Sequence, residues 1–156
     1  MSKMPRIVAV ICIVAGAVLI VAGGVTYYMV HDELASEHIT VSDDADYLAG
    51  DEVDGPFSAY SEAETIQKHA LEIGEGKTYA QLPQDDPKRD TVMTASFLRA
   101  SLFTSVVAFG VAALVMGLGV LFVLVGLGFL GLVRRFDERA AASPPATTAE
   151  PTVATA

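Results

Sequence analysis

From Ile7 to Val30 the chain carries no Asp, Glu, Lys or Arg for twenty-four residues, and from Ala100 to Val133 none for thirty-four. A helix needs about 20 apolar residues to cross a hydrocarbon core of roughly 30 Å, because it rises about 1.5 Å per residue. Both runs are long enough. A backbone in lipid has no water to satisfy its amides and carbonyls, so each run is predicted to be helical. The first run could instead be a cleaved signal peptide, with Lys3 and Arg6 as its basic end and Ala22-Gly23-Gly24 as a cleavage site. It continues past those glycines to Val30, however, and ends in Tyr27-Tyr28, a pair suited to headgroup depth. It is therefore read as a retained span. Cys12 is not a lipoprotein cysteine, since Ile11 precedes it where a small residue is needed.

The intervening stretch changes pattern. His38-Ile39-Thr40-Val41 is a short β-prone run, and residues 43–56, acidic and broken by Gly50 and Gly55-Pro56, read as irregular. In Ser58–Ile73, Ala59, Ala63, Ile66, Ala70 and Ile73 recur at helical spacing. Ser58 is placed to cap this helix and Gly74 and Gly76 to stop it. Lys77–Leu82 reads as one further turn. Asp86-Pro87 opens a second helix, with Asp86 at the N-cap, that runs without Pro or Gly into the second span. Met93, Phe97, Ala100 and Thr104 form a stripe on it that is expected to pack on the Ser58–Ile73 helix. The predicted fold is mainly α: a two-helix transmembrane hairpin with a small helical extracytoplasmic cap. Its parts are a cytoplasmic N-terminus (1–6), transmembrane helix 1 (7–30), an acidic loop domain (31–99), a second helix that enters and crosses the membrane (100–133), and a cytoplasmic tail (134–156). The tail is Ala-, Pro- and Thr-rich and is expected to be disordered from about 140.

Composition agrees with that division. Apolar residues make up 52% of 156, above the roughly 45–50% of soluble domains. Lys3 and Arg6 flank the first span, and Arg134, Arg135 and Arg139 follow the second; Lys88, Arg89 and Arg99 lie on the loop side. Five basic residues against three put both termini in the cytoplasm by the positive-inside rule. Residues 31–98 hold sixteen acids and four bases, a net of −12. Such a surface repels nucleic acid and anionic headgroups and favours cations or basic proteins.

Ala9, Gly16 and Gly23 are seven apart, as are Gly110 and Gly117, and as are Gly119 and Gly126. Small residues at this period let helix backbones approach in lipid. The expectation is that Gly23 faces Gly110 and Gly16 faces Gly117, leaving the Gly119–Gly126 face for a partner.

Catalytic signatures are absent from the sequence. Neither span holds a charge, apart from Arg99 at the outer edge of the second, and Ser101, Thr104 and Ser105 are the most polar positions inside that span. His31, His38 and His69 fit no tight ligand motif, and the lone cysteine excludes a thiolate cluster. Asp43-Asp44-Ala45-Asp46, with Asp51, Glu52 and Asp54, offers oxygen ligands without the spacing of a calcium loop and reads as a solvated acidic surface. No catalytic, cofactor or metal residue is assigned.

Met4-Pro5-Arg6-Ile7, Ile39–Ala45, Gly55-Pro56-Phe57, Lys68–Leu71, Gly76–Ala80 and above all Ala95–Val107 together resemble a family of small actinobacterial membrane proteins. The similarity covers about residues 4–133. Members are often labelled as the small subunit of an aromatic ring-opening dioxygenase, an enzyme whose iron the large subunit holds. The resemblance carries no functional residue to this chain.

On its own residues the chain reads as a non-enzymatic protein of the cell membrane, an accessory or scaffold subunit of an envelope complex. Its expected partners are the lipid bilayer and a second membrane protein or another copy. Phe97, Arg99 and Phe103 are the candidate contact rim. Two alternatives stand beside this. A dioxygenase component would need iron and a soluble partner; an oligomeric pore would need a polar lining.

Overall fold

The structure, a computed structural model, describes residues 4–142. α1 spans Met4–Ser36, α2 spans Pro56–Ile73, and α3 spans Arg89–Ala142; a single 3₁₀ turn, Tyr79–Gln81, lies between α2 and α3. The protein is mainly helical, and among the described residues there is no strand, only an isolated antiparallel bridge between Thr40 and Glu52. α1 and α3 are both long and apolar enough to cross a membrane. α3 remains helical to Ala142, slightly past the point where a disordered tail was expected. The rest of that tail, 143–156, lies outside the described residues, as do residues 1–3.

α1 and α3 lie side by side and run in opposite directions. Their seam is a heptad. On α3 the inward positions are Leu102, Phe109, Ala112, Gly119, Gly126 and Val133, all buried, with Met116, Val123 and Leu130 half-buried between them. On α1 they are Ala9, Gly16, Gly23 and Leu34. Seven residues in two turns is the period that keeps one face of a left-handed pair in register. Tyr27 packs edge-on to Phe109 at 4.8 Å between ring centroids, and Arg6 pairs with Asp137 at the other end of the helices.

α1 ends where His38 takes a left-handed backbone (φ 52°), with the His38 amide bonded to the Ala35 carbonyl. The chain then folds back on itself. Val41 N–H donates to Asp51 O (2.8 Å) and Val53 N–H to Ile39 O (2.8 Å), around a turn that uses positive φ at Leu48 and Gly50. Residues 43–56 are thus held more closely than an irregular acidic stretch would be. Val41 and Val53 point together into a core with Leu34, Ala59, Ala63, Leu102 and Phe109. This core joins the folded-back segment and α2 to the end of the α1–α3 pair that holds Leu34 and Leu102.

α2 follows the predicted stripe for most of its length: Ala59, Ala63 and Ala70 are buried, while Ile73 at the end is exposed. Its start differs from expectation. Gly55 is the N-cap, Pro56 occupies the first turn, and Ser58 sits at the third helical position, where its hydroxyl accepts from the Gly55 amide (3.2 Å). α3 begins at Arg89 rather than Pro87, after a turn in which Asp86 Oδ1 accepts from Lys88 N–H (2.9 Å). Arg89 closes this junction: its guanidinium donates to the carbonyls of Tyr79 and Leu82 and lies 4.2 Å over the Tyr79 ring. Beneath it Ala70, Leu82 and Val92 form a second small core.

The expected stripe on the first turns of α3 is displaced. Phe97, Ala100 and Thr104 are exposed, and Val92, Ala95, Arg99, Leu102, Val106 and Phe109 face inward instead. One face of α3 must meet α2 and α1 in succession, and the inward positions are those continuous with the Leu102–Phe109 seam.

Candidate functional site

The sequence singled out two groups of contact residues, and the structure rearranges both. Gly16 and Gly119 face each other. A Cβ added to Gly16 would lie 2.5 Å from the Gly119 carbonyl oxygen, and one added to Gly119 would lie 2.7 Å from the Gly16 oxygen. Gly23 is closed by Ala112 O and Met116, and Gly126 by Ala9 O and Ile13. Gly110 and Gly117 have nothing within 4 Å of such a Cβ. The expected pairs Gly23–Gly110 and Gly16–Gly117 are therefore incorrect, and Gly119 and Gly126 are spent within the chain instead of facing a partner. The error along the helix axis is two residues, only about 3 Å, but two residues rotate a helix by about 200°. That turns the stripe to the opposite face.

The proposed rim of Phe97, Arg99 and Phe103 also divides. Arg99 and Phe103 are four apart and stack, with the guanidinium carbon 4.8 Å from the ring centre. Phe103 in turn meets the edge of Tyr60 on α2, 5.6 Å between centroids. Phe97, two residues from Arg99, emerges on the opposite side and is 66% exposed. Arg99 Nε is buried and has no hydrogen-bond partner among the described residues. Stacking on an aromatic face offsets part of that cost. Arg99 and Phe103 thus belong to the α2–α3 interface, and Phe97 does not share a surface with them.

The polar chemistry concentrates where the folded-back loop meets α2. The Glu62 side chain, missed as an interior residue by sequence reasoning, is buried and accepts from Ser42 N–H (2.7 Å) and Ser42 Oγ (3.1 Å). Ser61 Oγ donates to the Tyr47 carbonyl (2.5 Å), and His31 Nδ1 lies 2.7 Å from the Asp54 carbonyl. Nearby, His69 Nε2 lies 2.7 Å from Asp44 Oδ2, with Lys68 Nζ at 3.7 Å from the same oxygen. The hydrogen bond with His69, helped by the positive charge of Lys68, holds the Asp44 carboxyl below its ordinary range. Lys88 and Glu75 form a similar exposed pair across the α2–α3 connection, which lowers the Glu75 pKa and raises that of Lys88 through their shared hydrogen bond.

The Asp44 clasp makes the first testable expectation. A carboxylate with a depressed folded pKa contributes stability above the ordinary Asp value of about 3.9 and loses it as pH falls through the folded value. Protection factors of the amides in the 41–53 segment, with the intrinsic pH dependence of exchange divided out, should therefore fall on acidification below about pH 4. Asp44→Asn should show faster exchange already at neutral pH and a flatter acid response. Identical exchange profiles for parent and variant would remove the clasp.

Among the described residues, no group of three or more His, Cys, Asp or Glu side chains could hold a metal ion. The hydroxyls of Thr104 and Ser105 donate to the carbonyls of Ala100 (2.8 Å) and Ser101 (3.4 Å) one turn earlier in their own helix. Compared with protein-family models, curated proteins and solved structures, the chain matches none of them.

Proposed function

We propose that this chain is a non-enzymatic integral membrane protein whose α1–α3 pair spans the bilayer as a hairpin. Both termini are cytoplasmic, the acidic cap of residues 37–88 stands outside, and the protein serves as an accessory or scaffold subunit of an envelope complex. The observation that carries the membrane reading is exposure. Only 17% of the most apolar window of α1, and 17% of that of α3, is buried within the chain. The core helix of a soluble protein would be covered nearly all round, whereas here Val, Leu, Ile and Phe side chains line the outside of both helices. An apolar surface that long needs a solvent of its own kind. The scaffold reading rests on the close small-residue seam between α1 and α3.

Topology supplies the test. In a Cys12→Ser background, Lys77→Cys should react with a membrane-impermeant maleimide on intact cells, and Arg139→Cys only after lysis. Equal labelling of both positions on intact cells would contradict the arrangement. Recovery of the protein from the soluble fraction would contradict the membrane assignment itself. Isolation in a mild detergent, with the co-purifying proteins identified by mass spectrometry, tests the scaffold role.

A further inference from the structure

The most exposed large apolar side chain among the described residues lies on neither long helix. It is Phe57, in the first turn of α2, at 78% exposure. A single exposed hydrophobic residue is ordinary on a protein surface. What sets Phe57 apart is its height along the two long helices.

The uncharged run 7–30 has its midpoint between Val18 and Leu19, and the run 100–133 between Met116 and Gly117. The close approaches of Gly16 to Gly119 and of Gly23 to Ala112 set those midpoints opposite each other. A bilayer centred there has half of its roughly 30 Å hydrocarbon core, about ten helical residues, on either side. Its boundary on the cap side crosses α1 near Tyr28 and α3 near Val106 and Val107.

α2 descends to that boundary. Ala70 shares a small core with Val92, Ile66 and Leu98 line one groove, and Tyr60 meets Phe103. α2 therefore runs antiparallel to α3, with its start nearest the spans. One turn before Tyr60, Phe57 reaches the level of Val106 and Val107. α1 gives the same height independently, since the Asp54 carbonyl lies 2.7 Å from His31 Nδ1 and Gly55 lines a groove with Tyr27 and Tyr28. Tyr28 and Val107 are themselves exposed at this height, so Phe57 continues an apolar level already present on both helices. Aromatic side chains are favoured at headgroup depth. No Lys or Arg lies between residues 31 and 67, which leaves apolar burial and not charge to hold such a contact.

Resting on the membrane reading above, we infer that the start of α2 is a third point of membrane contact. Phe57 enters the cap-side leaflet where headgroups meet chains, at the depth of Tyr28, and sets the height of the cap over the bilayer.

The chain contains no tryptophan, so a single introduced one reports only its own surroundings. Full-length Phe57→Trp, Phe97→Trp and Val18→Trp are reconstituted in phosphatidylcholine vesicles, with lipid brominated either near the headgroup end of its chains or near their termini. All three positions are exposed, and the larger ring displaces nothing. Phe57→Trp should emit to the blue of Phe97→Trp, lose most of its emission to the headgroup-end bromines and resist aqueous acrylamide. Phe97 lies ten residues before Val107 on α3, about 15 Å further from the midplane, and Phe97→Trp should be quenched by acrylamide alone. Val18→Trp, at the midpoint, should respond most to the chain-terminal bromines. A Phe57→Trp that behaves like Phe97→Trp would overturn the inference. So would one reached by neither quencher, since a second copy of the chain would then cover it. Quenching by bromine at Val18→Trp but not at Phe57→Trp removes this contact and leaves the membrane reading standing, whereas its absence at Val18→Trp removes both.

Discussion

Replacing Gly16 or Gly119 with leucine should pull α1 and α3 apart, while Gly117→Leu should leave them as they are. At the first two positions the added carbon would meet a backbone carbonyl of the opposite helix at 2.5 Å and 2.7 Å. Neither backbone can move aside without widening the seam, because Ala9–Gly126 and Gly23–Ala112 make the same close approach one heptad to either side. Widening forfeits dispersion contacts along the pair, and in lipid those contacts are most of what holds two apolar helices together. Overpacking of a tight core costs about 1–3 kcal/mol, and a carbonyl that cannot retreat puts this site at the upper end. Gly117 has open space, so leucine there adds an outward-facing side chain and improves helix propensity. Thermal unfolding in mild detergent, followed by circular dichroism, checks all three. A Gly117→Leu variant that melts as early as Gly16→Leu would mean that the helices pair on the other face.

That contrast marks how far the sequence reaches. The two long apolar helices are readable from length and composition, because an uncharged run of that length meets its backbone hydrogen bonds most readily within itself. The α1 stripe of Ala9, Gly16 and Gly23 is readable from its period. On α3 two seven-residue glycine series compete, and glycine spacing alone does not choose between them. Counting alanine and valine with glycine does: Ala112, Gly119, Gly126 and Val133 continue unbroken, whereas the series through Gly110 and Gly117 meets Leu124 before Gly131. Leu102, Phe109, Met116 and Val123 lie three residues before Ser105 and those small positions, giving the paired large and small rows of a heptad seam. The cap is less legible. Val53 is fully buried, yet it lies alone between Glu52 and Asp54 and forms no periodic pattern. Its burial depends on a loop that folds back through a single bridge, a non-local event with no local signature. Glu62 escaped for the same reason: its partner, Ser42, lies twenty residues away across that loop.

Glu62→Ala should release that loop from α2. The carboxylate occupies a buried position and is the hydrogen-bond acceptor for both the amide and the hydroxyl of Ser42. Truncation leaves a part-buried amide without its partner, which costs about 1–3 kcal/mol. Glu62→Gln keeps an oxygen for the amide and offers its own N–H₂ to the serine oxygen, so its loss should be smaller, about 1 kcal/mol for the charge-assisted part. Ser42→Ala removes only the 3.1 Å bond and should be the mildest of the three. Amide exchange at Val41 and Val53 reads the effect directly, since their hydrogen bonds to Asp51 and Ile39 close the loop. Exchange there should rise in the order Ser42→Ala, Glu62→Gln, Glu62→Ala. The Gly16–Gly119 seam lies deep between the long helices, and its amides should exchange as slowly as before. If instead Glu62→Ala exchanged no faster than the parent at Val41, Glu62 would be a buried acid with no part in holding the cap, and the loop would owe its place to the Val41–Val53 core alone.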